Sequence, residues 1–298
     1  MITVSALTFT YNTAPIFQNF NWQVAQGEAW AILGPSGCGK STLLYLLAGL
    51  RKPTSGEILI EGETIIRPRP RTGLVLQDFG LLPWATCEEN VGLGLRLRGF
   101  YGPDGKHAPK DQNENQHADD AEQTLKNADK TKDDQRVSAQ SAISAFKVLN
   151  SQRPSSALSV QRFKDKDTTV DYWLNRLAIH HVRAQYPAQL SGGQRQRVAI
   201  ARTLALNPDL LLMDEPFAAL DAPTRESLQA LTLELRAEQH LTTIVVTHSI
   251  EEAAILGEKI LLLGKTIQII ENPNAAREGY RSSVEYGAMC QRLRGKIG

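Results

Sequence analysis

Eight consecutive residues, Gly34-Pro-Ser-Gly-Cys-Gly-Lys-Ser41, match the pattern G-x-x-x-x-G-K-[ST], and Thr42 follows. They stand between a β-type run, Ala29 to Leu33, and a helical one, Leu43 to Leu50. Glycines let a backbone fold around an anion so that successive N–H groups point inward, and the following helix adds its positive end. Gly34, Pro35, Ser36, Gly37, Cys38, Gly39, Lys40, Ser41 and Thr42 are therefore candidate phosphate contacts. Lys40 would bridge β- and γ-phosphates as a point charge, and the Ser41 hydroxyl would ligate Mg²⁺. The competing reading is a glycine turn that binds nothing. At average residue usage the pattern arises by chance in roughly one chain per hundred of this size, and less often in a strand-loop-helix setting. Cys38 sits where helix-terminal amides can lower a thiol's pKa, but it reads first as a space-filling loop residue.

Two adjacent carboxylates, Asp214 and Glu215, close the apolar run Leu210-Leu-Leu-Met213. Open α/β sheets bind ligands at the carboxyl ends of their strands, and neighbouring strand residues point to opposite sides, so the pair can divide labour. Asp214 would hold the Mg²⁺ shell, and Glu215 would act as general base on the attacking water. His248 follows a second apolar run, Thr242 to Val246, which sets it at the same edge for a γ-phosphate contact. Leu190-Ser191-Gly192-Gly193-Gln194 opens a helix expected over Gln194 to Leu206. Ser191 and the glycine amides at that terminus form a second anion site. Two phosphate-binding ends on one chain make sense if the second serves a nucleotide held by another copy.

These residues need an α/β framework to hold them, and the rest of the sequence supplies one. The runs Ala29 to Leu33, Asp209 to Met213 and Thr242 to Val246 are nearly continuous in apolar residues, as in parallel strands covered on both faces by helices. Val170, Trp173, Leu174, Leu177 and Ala178 recur like one face of a helix. From Asp104 to Arg136 the only large apolar side chain is Leu125, so residues 103–167 read as a polar, disordered insertion with one helical candidate, Ala139 to Leu149. Its mixed charges favour a passive surface loop over a module that folds on a partner. The 298 residues carry 33 Lys and Arg against 32 Asp and Glu, so no global field recommends nucleic acid as a partner. Mean hydropathy is −0.28 and no apolar run approaches the ~20 residues that span a bilayer. No secretory signal is visible at the N-terminus, and Cys38, Cys87 and Cys290 fit neither a disulfide framework nor a metal cluster. The expectation is a cytosolic chain.

Taken together, these motifs resemble the ATP-binding cassette (ABC) ATPases over everything except the polar stretch and the extreme C-terminus. The resemblance implies an α/β P-loop NTPase fold of ABC type, with a mainly parallel core sheet, an antiparallel β subdomain and a helical subdomain. On that basis residues 1–271 form one ATPase domain with the helical subdomain at about 85–190, the insertion at 103–167 lies within it, and 272–298 form a tail. Tyr11 stands where the family has an aromatic that stacks on adenine. Gln77 stands at the end of a strand, where the family's Q-loop glutamine reaches metal and water. Ala219-Leu220-Asp221 looks like the D-loop across a dimer interface, and His248 like the switch histidine. The implied cofactors are ATP and Mg²⁺. The implied assembly is a head-to-tail homodimer, on the cytoplasmic face of a membrane, attached to permease subunits and through them to a solute-binding protein. Gln77-Asp-Phe-Gly-Leu-Leu-Pro-Trp84 is similar to the nitrate, sulfonate and taurine importer branch, with Trp84 either a permease contact or a core aromatic. A non-transport ABC ATPase acting on DNA or ribosomes is the alternative, although such chains usually bring coiled coils or a second cassette. Arg281, Arg292, Arg294 and Lys296 in the tail could touch lipid headgroups or belong to a packed terminus.

Overall fold

The central strands are built from residues that tolerate burial on both faces. A computed structural model describes residues 1–11, 14–101, 157–264, 266–275 and 277–297. Strands β3 (Ala29–Leu33), β7 (Leu210–Asp214) and β8 (Thr242–Thr247) have every residue buried, as continuous apolar runs require. They lie in a six-stranded sheet of order β10-β9-β3-β8-β7-β6, with β6 at Thr72–Val75, β9 at Lys259–Leu262 and β10 at Gln268–Glu271. All neighbours pair in parallel except β10, which runs antiparallel to β9 at the edge. A second, four-stranded antiparallel sheet has the order β2-β1-β4-β5, with β1 at Ile2–Tyr11, β2 at Ala14–Val24, β4 at Ser55–Ile60 and β5 at Glu63–Thr64. β1 alternates buried and partly buried residues, the mark of a sheet with one face on a core.

Helix α1 (Lys40–Leu47) follows β3 and is buried with residues of both sheets in one cluster that includes Trp30, Leu43, Leu47, Ile58 and Leu212. A second cluster joins α2 (Cys87–Tyr101), the end of α3 (Ala157–Arg176), α4 (Gly192–Leu204) and α5 (Ala222–Gln239) to strands β6 and β7. Helices α6 (Ile250–Leu256) and α7 (Val284–Ile297) cover β3 and β9. Backbone contacts divide the chain into one unit of Met1–Leu95 with Thr169–Gly298 and another of Arg96–Thr168.

Several sequence expectations change in detail. Helix α3 begins at Ala157, inside the stretch read as disordered, because Val160 and Phe163 extend the apolar spacing that continues at Val170. The rest of that expected insertion, including the Ala139 to Leu149 helix, lies outside the described residues. Helix α4 starts two residues earlier than expected, because Ser191 caps it. The tail is packed: Leu293 and Cys290 of α7 are buried, Arg294 pairs with Glu251, Arg281 with Glu226, and Lys296 donates to Gln268. Those cations are engaged by the chain's own groups rather than left for a lipid surface. Among the described residues no helix is long and apolar enough to cross a membrane.

One buried amide organises the segment between β6 and α2. Asn90 is 0% exposed; its Oδ1 accepts from Leu82 N at 2.8 Å, and its Nδ2 donates to the carbonyls of Leu82, Ala85 and Thr86 at 3.0 to 3.1 Å. The loop Leu82-Pro-Trp84-Ala-Thr86 therefore hangs on this side chain. Trp84 is half-buried, with its indole N–H covered and meeting no acceptor among the described residues. Replacing Asn90 by alanine strands several buried polar groups at once, at about 1–3 kcal/mol for such a loss. Asn90→Ala should lower unfolding stability by about 3 kcal/mol, read as a shifted urea midpoint.

Candidate active site

The phosphate loop owes its shape to glycines that no other residue could replace. Gly39 sits at φ 102°, and a Cβ there would lie 2.4 Å from the Ile16 side chain. A Cβ on Gly34 would meet the Leu263 carbonyl oxygen at 2.1 Å. Gly37, at φ 78°, faces open space, so the curve is tightly packed beneath and open above. Lys40 is buried, and its Nζ donates to the carbonyls of Gly34 and Pro35, both at 2.9 Å. The loop is thus closed on its own ammonium, which points along the concave side where an anion would sit. Cys38 is partly buried. Cys87, by contrast, is fully buried, with its thiol pushed up to about 12 by burial.

Helix α1 brings Ser41 to the end of β7. The Ser41 hydroxyl donates to Asp214 Oδ1 at 3.0 Å, and the Tyr45 hydroxyl donates to Oδ2 at 3.2 Å. Asp214 is 4% exposed; burial pushes its carboxyl above the ordinary range, while the Ser41 and Tyr45 hydroxyls and then Lys40 pull it back. Sequence reasoning found Ser41 and Asp214 and placed them together, but it missed Tyr45, whose signal was its position four residues after Ser41. A hydroxyl and one carboxylate suit Mg²⁺, which keeps several waters and takes phosphate oxygens besides one or two carboxylates. Among the described residues no group of three His, Cys, Asp or Glu side chains gathers as a metal cage.

Glu215 corrects the simple picture of alternating strand residues. The strand ends at Asp214, and Glu215 turns into the left-handed region at φ 46°, its N–H donating to Val246 O at 2.9 Å. A non-glycine residue held there stores backbone strain that the neighbouring strand must enforce. The turn aims the Glu215 carboxylate at His248, whose Nδ1 lies 3.1 Å from Oε2. His248 follows β8 and is more than half exposed, so the pair faces solvent next to the buried Asp214. Behind it, Thr247 Oγ1 donates to buried Glu252 at 2.6 Å and accepts from Ser249 N, fixing the turn after β8.

Gln77 also departs from expectation. β6 ends at Val75, and Gln77 is exposed in a turn two residues later. In that turn Phe79 and Gly80 both take positive φ, 62° and 59°. Their carbonyls accept from the Arg202 guanidinium of α4 at 3.0 and 2.6 Å, while Arg195 of the same helix lies 5.4 Å from the Phe79 ring. Burial draws the Arg202 guanidinium below its ordinary pKa, a penalty its two carbonyl partners offset. Neither arginine was singled out from sequence.

Ser191 caps α4 through a reciprocal pair: its Oγ accepts from Gln194 N at 3.3 Å and Gln194 Oε1 accepts from Ser191 N at 2.8 Å. Gly193 packs so closely on Thr224 that a Cβ would lie 2.5 Å from its methyl, and Gly192 lies against Leu220. Asp221, exposed between them in sequence, caps α5 by accepting from Thr224 N at 3.2 Å. That bond holds its carboxyl below the ordinary value. Tyr11, at the end of β1, is exposed, with the Arg51 guanidinium 4.9 Å from its ring centroid.

Comparison with known proteins places this arrangement. A family model described as ABC transporter matches residues 17–218. An aliphatic sulfonates import ATP-binding protein of Bacillus cereus (strain ZK / E33L) is 33% identical over 264 residues, covering 87% of this chain and 80% of that protein. A taurine import ATP-binding protein of Yersinia pestis bv. Antiqua (strain Antiqua) is 35% identical over 263 residues, covering 88% and 79%. Among solved structures, a dimeric bacterial ABC transporter cassette superposes with a TM-score of 0.63 at 30% identity, covering 91% of this chain and 98% of that one. A dimeric post-hydrolysis ATP-binding cassette bound to ADP and Pi gives 0.62 at 29%, covering 90% and 98%.

The cap at Ser191 can be tested apart from any role toward a nucleotide. Ser191→Ala should destabilise the chain by about 1 kcal/mol in urea unfolding, and Ser191→Asp, which keeps an acceptor at the cap, should not.

Proposed function

The chain belongs to the ABC transporter family of ATP-hydrolysing cassettes, and we propose that it energises import of nitrate, a sulfonate, taurine or a related small solute. ATP binds in the glycine loop, with Lys40 released from the carbonyls of Gly34 and Pro35 to the β- and γ-phosphates. Tyr11 offers its ring to the adenine. Ser41 and Asp214, with Gln77 reaching in from its turn, would hold Mg²⁺, which when bound neutralises charge on the β- and γ-phosphoryl oxygens. Glu215 takes a proton from the water that attacks the γ-phosphorus as the bond to ADP breaks. His248 holds the Glu215 carboxylate from one side and contacts the γ-phosphate from the other.

The observation that carries this reading is the convergence of Ser41 on Asp214 and of His248 on Glu215 at adjacent strand ends beside the phosphate loop. The capped terminus at Ser191, Gly192, Gly193 and Gln194, with Ser191 exposed at its tip, is a second anion site. It serves the ATP of a second copy in a head-to-tail dimer, with Asp221 at the same interface. The dimer attaches peripherally to permease subunits on the cytoplasmic face of a membrane, and through them answers to a solute-binding protein. The segment from Gln77 through Trp84 faces the permease, and residues 1–271 act as one ATPase domain with helical residues about 85–190.

Glu215→Gln should reduce hydrolysis by at least about 100-fold, the scale of a lost general base. ATP affinity should persist, and a dimer should accumulate with ATP in size-exclusion chromatography; near-normal turnover would remove Glu215 as the base. In proteoliposomes holding the permease, hydrolysis should rise when the binding protein is loaded with taurine or an alkanesulfonate. A response to none of taurine, alkanesulfonates and nitrate, but to an unrelated solute, would discard the cargo assignment and keep the ATPase.

A further inference from the structure

The mechanism above uses Asp214 as a cation holder but leaves its second oxygen unassigned. Oδ1 takes the Ser41 hydroxyl at 3.0 Å, and Oδ2 takes the Tyr45 hydroxyl at 3.2 Å. Ser41 and Tyr45 are four residues apart on α1, so they present their hydroxyls from one face of the helix. With Asp214 4% exposed, little solvent can replace either donor. Tyr45 is itself anchored: its carbonyl accepts from the N–H groups of Leu50 and Arg51 at 3.0 and 3.3 Å, closing the end of α1.

We propose that Tyr45 is a positioning residue for the divalent cation: its phenol occupies Oδ2 of Asp214, and so orients Oδ1, the oxygen shared with Ser41, toward the cation. The proposal rests on Ser41 and Asp214 being the groups that hold Mg²⁺. A neutral donor suits this place for an electrostatic reason. Lysine or arginine at position 45 could hold the same oxygen, but would cancel the negative charge that the cation needs, whereas a phenol fixes the carboxylate and leaves its charge in place. Orientation matters more in a sparse donor set than in a full cage, because the remaining positions are filled by mobile waters and by the nucleotide.

Tyr45→Phe removes one oxygen and keeps the ring. The full-length variant and wild type are compared in three measurements: affinity for a fluorescent ATP analogue with Mg²⁺ and with EDTA, the Mg²⁺ concentration that half-activates hydrolysis, and the urea midpoint. Removing an outer partner of a ligating carboxylate weakens metal binding about 10-fold at the mild end. The half-activating Mg²⁺ concentration should therefore rise about 10-fold, with turnover at saturating Mg²⁺ retained and the EDTA affinity within about twofold of wild type. An unchanged Mg²⁺ dependence overturns the proposal even if the urea midpoint falls, since Tyr45 would then only support the fold. Equal loss of nucleotide affinity with and without Mg²⁺ overturns it too. A wild type that hydrolyses ATP equally well in EDTA defeats the underlying assignment of Ser41 and Asp214, a result distinct from a Mg²⁺-dependent wild type matched by its variant.

Discussion

A carboxylate buried at the end of the central strand is the constraint around which the rest is arranged. Asp214 sits in a sheet whose interior is apolar, and burial alone would favour its neutral form. Two hydroxyls from α1 and the nearby Lys40 ammonium oppose that tendency. All three come from the helix that the phosphate loop launches, so the same geometry that opposes neutralisation of the acid also sets the loop against the strand end. Gly34 can pass beneath the Leu263 carbonyl only because it lacks a Cβ, and Gly39 lies under Ile16 and Phe17 for the same reason. The α1 terminus is thereby held by both sheets, one through β3 and β7, the other through β2.

Around that fixed point the other candidate residues are mounted on turns. Glu215 leaves the strand in a left-handed conformation, Gln77 lies in a turn where Phe79 and Gly80 have positive φ, and His248 lies within the turn that the Thr247 hydroxyl closes onto Ser249 N. Each turn is held from behind by a group of a neighbouring element: the Val246 backbone carbonyl for Glu215, the Arg202 side chain for Phe79 and Gly80, and the Glu252 carboxylate for Thr247. Such placement lets exposed groups meet a ligand while their backbones stay defined. It also links α4 to two places at once. Its first turn carries Ser191 to Gln194, and its last turn carries Arg202, which grips the turn that bears Gln77.

Much of this was legible in the sequence, for identifiable reasons. The apolar runs at β3, β7 and β8 announce a parallel core, and the glycine spacing around Lys40 announces the anion loop, because both patterns are local and chemically narrow. Pairings across long separations were less visible. Nothing in residues 77 to 80 names Arg202 as their partner, and Tyr45 reads as an ordinary helix residue until β7 is set beside α1. The left-handed turn at Glu215 was hidden for a different reason: glutamate has no preference for that conformation, so tertiary pairing to Val246 imposes it. The start of α3 was missed because the polar run Lys164 to Thr169 separates Val160 and Phe163 from the apolar spacing that resumes at Val170.

The Lys40 ammonium resting on the carbonyls of Gly34 and Pro35 has a kinetic meaning. A buried cation with no partner would bear the full cost of its lost hydration; here two carbonyls satisfy it. Arrival of a triphosphate is then a partner exchange, carbonyl oxygens for phosphoryl oxygens at a charge that never goes unpaired. Departure of the product is the same exchange in reverse, with two internal acceptors ready to take the ammonium back. On the proposed reading the loop is a reversible latch, with two internal acceptors in reach of the ammonium whenever a phosphate leaves it.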